Sequence, residues 1–225
     1  MDKGRAVSGM ARYGSGRARL LAPSGPARTD SPQQLAVRNW GARGAIAGPV
    51  RRLAKRGMDL VLGGLGLVAL SLPMVLIAMA IRLETPGPVL LRQTRVGRHG
   101  VPFVILKFRT MEGHGARQAI TPLGAILRRY SLDELPQLIN IVRGEMALVG
   151  PRPHVPDMTV GDRFYAEIAP LYHRRTAVRP GLTGLAQANG LRGPLTDIEL
   201  ARRRVELDLA YIDRPSLRAD LAILI

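Results

Sequence analysis

The chain has no cysteine, which excludes disulfide frameworks, thiolate nucleophiles and Cys-based metal sites and fits a reducing compartment. Aromatic residues are only 4% of the 225. Platforms that stack single-stranded bases are built from such rings, so their scarcity opposes a nucleic-acid-binding role. Histidine is sparse as well: His99, His114, His154 and His173 have no metal-ligand spacing, which argues against zinc chemistry. Near the N-terminus no apolar core precedes a small-residue cleavage site, so no signal peptide is read there.

Acidic residues are in deficit. Against 33 Lys and Arg stand 17 Asp and Glu, a formal net charge of +16 that predicts a polyanionic partner: nucleic acid, an anionic membrane face or phosphorylated ligands. Residues 1–57 carry 12 of the basic residues against Asp2 and Asp30, so +10 of the charge precedes the main apolar run. Segment 1–49, rich in Gly, Ser, Pro and Arg, has no sustained apolar period and is expected to be a flexible tail. Its placement suits a juxtamembrane arm that attracts anionic membrane lipids, at roughly 1 kcal/mol per basic residue near the surface.

What the chain does have is one long apolar run. Leu60 to Ile81 is 22 consecutive residues without a charge, about 33 Å as a helix against a hydrocarbon core of about 30 Å. Ser71-Leu72-Pro73 lies in its middle, where proline removes a backbone donor and predicts a bend. Arg51, Arg52, Lys55 and Arg56 precede the run and Arg82, Arg92, Arg95 and Arg98 follow it, so both ends are drawn to the same side of a membrane. A broken helix over 50–84 that enters and returns on one face satisfies both features. A kinked straight span and a buried helix of a soluble protein are the alternatives.

After a turn-rich exit at residues 84–88, VLLRQTRVG and VPFVILKFRTM read as a hairpin around Arg98-His99-Gly100. Gly97-x-x-Gly100 is then a hairpin turn and not a phosphate loop. Helical spacing follows over Leu123–Tyr130, Leu135–Val142 and Ala201–Ile212. The expected fold class is α+β: an α-rich monotopic membrane protein with a proline-broken re-entrant helix, a short β-hairpin and amphipathic interfacial helices. It divides into a tail over 1–49, a membrane helix over 50–84 and a domain over 85–225 that holds most of the motifs described next.

The segment Ser131 to Gln137, SLDELPQ, is where chemistry is sought. Ser131-x-x-Glu134 fits a helix-capping box, and on spacing alone a cap is the simpler reading. The same geometry suits phosphoryl transfer, because a helix start offers unpaired N–H groups to phosphate oxygens, and Arg128 and Arg129 immediately precede the acids. A carboxylate can accept a phosphoryl group when cations screen the repulsion between two anions.

An ordered series of short motifs surrounds this segment. Lys55-Arg56-x-x-Asp59 precedes the apolar run, and Gly87-Pro88-Val89, Gln93-x-Arg95-Val96-Gly97 and Lys107-Phe108-Arg109-Thr110-Met111 follow it. Beyond SLDELPQ come Asn140, Gly144-Glu145-Met146, Val149-Gly150-Pro151-Arg152-Pro153, Arg179 to Gln187 (RPGLTGLAQ) and Asp208-x-x-Tyr211-Ile212. In this order the motifs resemble the bacterial sugar transferase family, the monotopic polyprenyl-phosphate hexose-1-phosphate transferases, over about residues 50–225.

The resemblance implies a UDP-sugar donor, an undecaprenyl phosphate acceptor, Mg²⁺ as cofactor and a place on the cytoplasmic face of a bacterial inner membrane. It implies Asp133 as nucleophile, with Glu134 orienting the acceptor or joining Asp133 in holding the metal. Lys107, Arg109, Arg128, Arg152 and Arg179 are the cations expected around the phosphates, and Ser71 and Pro73 the residues that break the membrane helix. Gly150 to His154, Arg192-Gly193 and the pattern around Asp208 lean toward UDP-glucose or UDP-galactose and the first step of exopolysaccharide synthesis. The short EGHGARQA linker departs from many relatives, and the family commonly continues past the closing Asp220-Leu221-Ala222-Ile223-Leu224 motif, which implies a truncated C-terminus. Two other classes are weighed: a non-enzymatic basic membrane adaptor, which leaves SLDELPQ and GPRP unexplained, and a nucleic-acid-binding protein. Oligomeric state is not readable, and a homo-oligomer is compatible with the sequence.

Overall fold

A computed structural model describes residues 48–113, 118–169 and 171–225. The tail expected over 1–49 lies outside the described residues as far as position 47, as does His114.

The apolar run forms two helices, α1 (Gly48–Ala69) and α2 (Ser71–Glu84), which meet at Leu70 with a bend of 56°. The break falls one residue before Ser71. Leu70 leaves helical geometry at φ −95°, ψ 4°, and Pro73 stands in the first turn of α2, where a missing N–H costs little. The Ser71 hydroxyl donates to the Val68 carbonyl at 2.7 Å, satisfying an acceptor freed at the break. No helix among the described residues is long and apolar enough to cross a membrane alone, although the bent pair passes together by length and composition. Much of its outer surface, including Leu65, Val68, Leu72, Leu76 and Leu83, is apolar and exposed.

The inner faces of the two helices are built into the protein. α1 lies against α4 (Gln137–Arg143) at a close approach that Gly63 permits, since a Cβ there would stand 3.1 Å from Ile141 Cγ2. Arg56 caps the far end of α4, donating from Nη1 to Ile141 O (2.7 Å), which also accepts from Gly144 N (3.0 Å), and from Nη2 to Val142 O (2.9 Å). Leu67 and Leu70 join a core of Leu138, Ile141, Met146, Leu148 and Leu207, while Met74, Ile77 and Ala78 of α2 close over Ile81, Phe108 and Leu127.

Strands β1 (Leu90–Val96) and β2 (Pro102–Phe108) make the expected antiparallel hairpin, in register from Leu90 opposite Phe108 to Val96 opposite Pro102. Asn140 fixes this hairpin to α4. Its buried side chain accepts from Leu106 N (3.0 Å) and donates to Val104 O (2.8 Å) and Glu145 Oε2 (2.7 Å). The short strands β3 (Met111–Glu112) and β4 (Ala119–Ile120) lead to α3 (Pro122–Arg129), which Thr121 caps by accepting from Gly124 N at 2.9 Å.

Beyond α4, β5 (Ala147–Val149) pairs in parallel with β8 (Gly181–Thr183). Between them lie a small β6 (Thr159–Val160) and β7 (Arg163–Phe164) ribbon, α5 (Tyr165–Ile168) and a 3-10 segment over Tyr172–Ala177. α6 (Leu185–Ala188), α7 (Ile198–Asp213) and α8 (Leu217–Leu224) complete the chain. The architecture is thus mixed helix and strand, and each helix read from apolar spacing is present within a few residues of its expected bounds.

A buried polar cluster joins the first helix to the last. Lys55 Nζ of α1 lies 3.3 Å from both Asp59 Oδ1 and Asp220 Oδ2, and Asp59 Oδ1 accepts from Leu148 N of β5 at 3.0 Å. The Tyr211 hydroxyl sits 2.7 Å from Asp220 Oδ1 and 3.1 Å from Val149 O. Asp59, Asp220 and Tyr211 are almost fully buried, so each depends on these partners in place of water.

Candidate active site

The chain turns sharply after α3. Ser131 takes the left-handed conformation (φ 57°, ψ 22°), which costs a non-glycine residue about 1 kcal/mol, and a 3-10 turn over Leu132–Glu134 follows before Pro136 starts α4. The capping box read from Ser131 and Glu134 does not form. The Ser131 side chain makes no cap hydrogen bond, because its backbone is left-handed and not extended as an N-cap requires. Glu134 instead points across to β2 and to the loop after β5.

There it meets two cations. Lys107 Nζ donates to Glu134 Oε1 at 2.7 Å, Arg152 Nη1 donates to Oε2 at 3.2 Å, and Arg152 Nη2 contacts Oε1. Asp133 is less engaged: Lys107 Nζ is 3.9 Å from its Oδ2, beyond hydrogen-bond reach. Both carboxylates are mostly sheltered, with side chains 14% exposed.

These surroundings drive the two acids apart. Burial raises the Asp133 carboxyl above its usual range and the charge of Glu134 adds to this, against weaker opposition from Lys107, its own backbone and Arg128. Burial also acts to raise Glu134, but hydrogen bonding and charge from Arg152, backed by Lys107, outweigh it and hold that carboxyl down at about 2. One acid is therefore a committed anion neutralised by two cations. The other is more basic and largely unpartnered, as an attacking group should be.

Both acids face a cleft of about 810 Å³ with two characters. Its apolar lining comes from Gly66 and Leu70 at the helix break, with Leu135, Leu138 and Leu182. Its polar lining carries Lys107, Arg128, Arg129, Arg152 and Arg192 with the two acids, Thr183 and Gln187. Such a space admits an apolar chain from the side of the bent helices and an anionic group at the acids.

Of the residues selected from sequence, Asp133, Glu134, Lys107, Arg128 and Arg152 come together in this cleft. Arg109 and Arg179 do not line it. Arg109 reaches back to Thr85 O (2.8 Å) and Pro86 O (2.7 Å), holding the exit of α2, and Arg179 Nε donates to Gly144 O (2.8 Å) beyond the end of α4. Both serve carbonyls that strand and helix ends leave open. Arg129 and Arg192, named from sequence only as neighbours of the acids and as part of a donor-leaning segment, line the cleft too, as do Thr183 and Gln187. Thr183 and Gln187 stood within the quoted RPGLTGLAQ motif, but attention went to its charged member.

As a metal site the cleft offers the two adjacent carboxylates. No group of three or more His, Cys, Asp or Glu side chains occurs among the described residues. Mg²⁺ commonly takes one or two carboxylates and completes its shell with substrate phosphates and water, so Asp133 and Glu134 fit such an ion when a diphosphate is bound beside it.

The family model described as bacterial sugar transferase matches residues 50–225. A UDP-glucose:undecaprenyl-phosphate glucose-1-phosphate transferase of Caulobacter vibrioides is 47% identical over 206 residues, which cover 87% of this chain and 74% of that protein. The exopolysaccharide production protein PSS of Rhizobium leguminosarum is 42% identical over 181 residues, 76% of this chain and 90% of that protein. A second UDP-glucose:undecaprenyl-phosphate glucose-1-phosphate transferase, from Escherichia coli, is 43% identical over 184 residues, but the match spans only 39% of that longer protein.

Proposed function

Because the chain belongs to the bacterial sugar transferase family, we propose that it moves a hexose-1-phosphate from a UDP-sugar to undecaprenyl phosphate and releases UMP. The observation that carries this reading is a single cleft lined both by Gly66 and Leu70 at the helix break and by the Asp133–Glu134 pair with Lys107, Arg128 and Arg152. UDP-glucose is the favoured donor on the names of two relatives, with UDP-galactose next, and the product opens exopolysaccharide synthesis.

In the first step an Asp133 oxygen attacks the phosphorus that carries the sugar. The P–O bond to UMP breaks, UMP leaves with the electron pair, and a sugar-phosphoryl aspartate remains. In the second step a phosphate oxygen of undecaprenyl phosphate attacks the same phosphorus, the bond to Asp133 breaks, and the carboxylate is regenerated as the polyprenyl diphosphate sugar departs. Lys107, Arg128 and Arg152 lower the cost of bringing a carboxylate to an anionic diphosphate. Glu134 holds Lys107 and Arg152 at the edge of the cleft, and its commitment to them leaves Asp133 as the attacking acid. Asp133 and Glu134 would hold Mg²⁺, which supplies further neutralisation of the diphosphate when bound.

The bent pair α1 and α2 enters the membrane and returns on one face, the cytoplasmic face of a bacterial inner membrane. Its exposed apolar side chains support this placement, as do the basic residues at both ends, which also attract anionic lipids. A lipid-bound acceptor then reaches the acids without leaving the interface.

Incubation of the purified full chain with undecaprenyl phosphate in lipid nanodiscs, Mg²⁺ and a panel of UDP-sugars tests the reaction. UMP release is expected, fastest with UDP-glucose or UDP-galactose. A folded chain that releases none with any donor overturns the reading.

A further inference from the structure

The transferase reading leaves unused a buried ion pair behind the cleft. Arg175, in the 3-10 segment, and Asp208, in α7, have side chains only 3% and 2% exposed. Arg175 Nε and Nη2 stand 2.8 Å and 2.7 Å from Asp208 Oδ2. The guanidinium also lies over the rings of Tyr165 and Tyr172, 5.1 Å and 5.3 Å from their centroids. Burying two charges costs several kcal/mol per ion before pairing, so such a pair is a weak source of stability compared with apolar packing.

The pair reaches the loop after β5 at a carbonyl and at the His154 ring. Arg175 Nη2 donates to Arg152 O at 3.2 Å. Around Arg152 main-chain bonds pin the loop, Gly150 N to Thr183 O (2.9 Å), Gly181 N to Pro151 O (2.9 Å) and Val96 N to His154 O (2.9 Å), and the His154 ring is met by the Tyr172 hydroxyl and by Arg175 Nη1 (3.4 Å). At Arg152 O the partner is a side chain. Pro151 and Pro153 each have φ locked near −65°, and a residue before proline is confined to extended backbone, so the loop that presents Arg152 is stiff and the Arg175 bond fastens its carbonyl in place. From this fastened loop the Arg152 side chain reaches Glu134.

We infer that Arg175 and Asp208 are positioning residues for Arg152, aiming its guanidinium at Glu134 and at the phosphate beside it. The phosphate role rests on the proposed transferase reaction; the aiming of Arg152 does not. The Asp208-x-x-Tyr211 motif thus acquires a task at each end, Asp208 behind the Arg152 loop and Tyr211 under β5.

The test replaces both charges at once, as Arg175→Met with Asp208→Leu, since a buried pair exchanged for apolar residues of similar volume is commonly tolerated. Arginine side-chain ¹⁵N spectra of the full chain in nanodiscs, with the Arg152 Nη–H signals assigned through Arg152→Lys, read the aiming directly. The double replacement is expected to melt within a few degrees of the native chain and to lose the protected Arg152 signal while that of Arg56 persists. In kinetics it lowers kcat/KM for the donor about 10-fold or more, yet about twofold or less when Arg152 is already alanine, because residues acting through one group are not additive. An unchanged Arg152 signal in the folded double replacement overturns the inference. Absence of UMP release from the native chain sinks the transferase reading and leaves the spectral readout intact.

Discussion

Arg152 grips Glu134 with both terminal nitrogens, and Lys107 closes on the same carboxylate from β2. A planar two-pronged contact of this kind is beyond the reach of lysine. Arg152→Lys is therefore expected to keep the charge and lose the aim. Steady-state UMP release should fall about 10- to 100-fold in kcat/KM, with the melting temperature little changed.

Asp133 is the less partnered acid in the cleft, and its replacement separates chemistry from folding. Asp133→Asn should reduce turnover by about 10³-fold or more and leave no phosphosugar adduct in intact-protein mass spectra of chain mixed with donor alone. A variant that still turns over at near-native rate removes Asp133 from the nucleophile's role.

The opposite displacements of the two carboxyls have opposite signs in stability. Glu134 is held down at about 2 from an ordinary 4.5, so its ionised form favours the folded state above pH 4.5, and that contribution is lost as pH falls toward 2. The gap corresponds to about 3 kcal/mol. Asp133 is displaced upward from 3.8, so its ionisation opposes folding once pH rises past its folded pKa. Thermal melts at pH 7 should find Glu134→Gln destabilised and Asp133→Asn stabilised, with both differences shrinking in acid. A pH-independent difference at either position contradicts the assignment.

Asn140 tests what carries β2 and its Lys107. Its amide serves two strand groups and Glu145 without any exposure, so Asn140→Leu strands Leu106 N and Val104 O in the interior. The expected loss is about 2–4 kcal/mol in urea or thermal unfolding, with residual activity falling as the hairpin loosens.

The absence of cysteine makes the membrane arm simple to probe, since any introduced thiol is unique. Single cysteines at Val50 and at Leu83 should react with an impermeant maleimide from the same side of sealed vesicles. With Ser71→Ala and Pro73→Ala combined, the helix loses its break and the two positions should label from opposite sides. Opposite-side labelling in the native arm rules out the re-entrant path.

How much of this was legible beforehand depended on the range of the interactions. The hairpin and the principal helices follow from local periodicity and turn residues, and they are present where expected. The helix break was legible because proline acts within a turn of its own position. The Ser131 cap was misread because spacing specifies which residues face each other only if the backbone enters extended, and here it enters left-handed. Arg109 and Arg179 look identical to Arg152 in sequence; what separates them is which carbonyl or carboxylate the fold places within reach, and those partners lie 23, 35 and 18 residues away. Gln187 and Thr183 reach the cleft through the parallel pairing of β8 with β5, a crossover that no local pattern announces.

The cluster of Lys55, Asp59, Asp220 and Tyr211 bears on any attempt to transplant this protein. It places two carboxylates from opposite ends of the described chain beside one ammonium, out of contact with water. Exchanging the arm for a foreign tether, or trimming α8, would strand a charge and release the amide of Leu148 next to the Arg152 loop. The bent pair α1 and α2 is therefore a structural member of the enzyme and not a leash. A soluble version would have to be redesigned from β5 outward, starting with neutral replacements at Asp59 and Asp220.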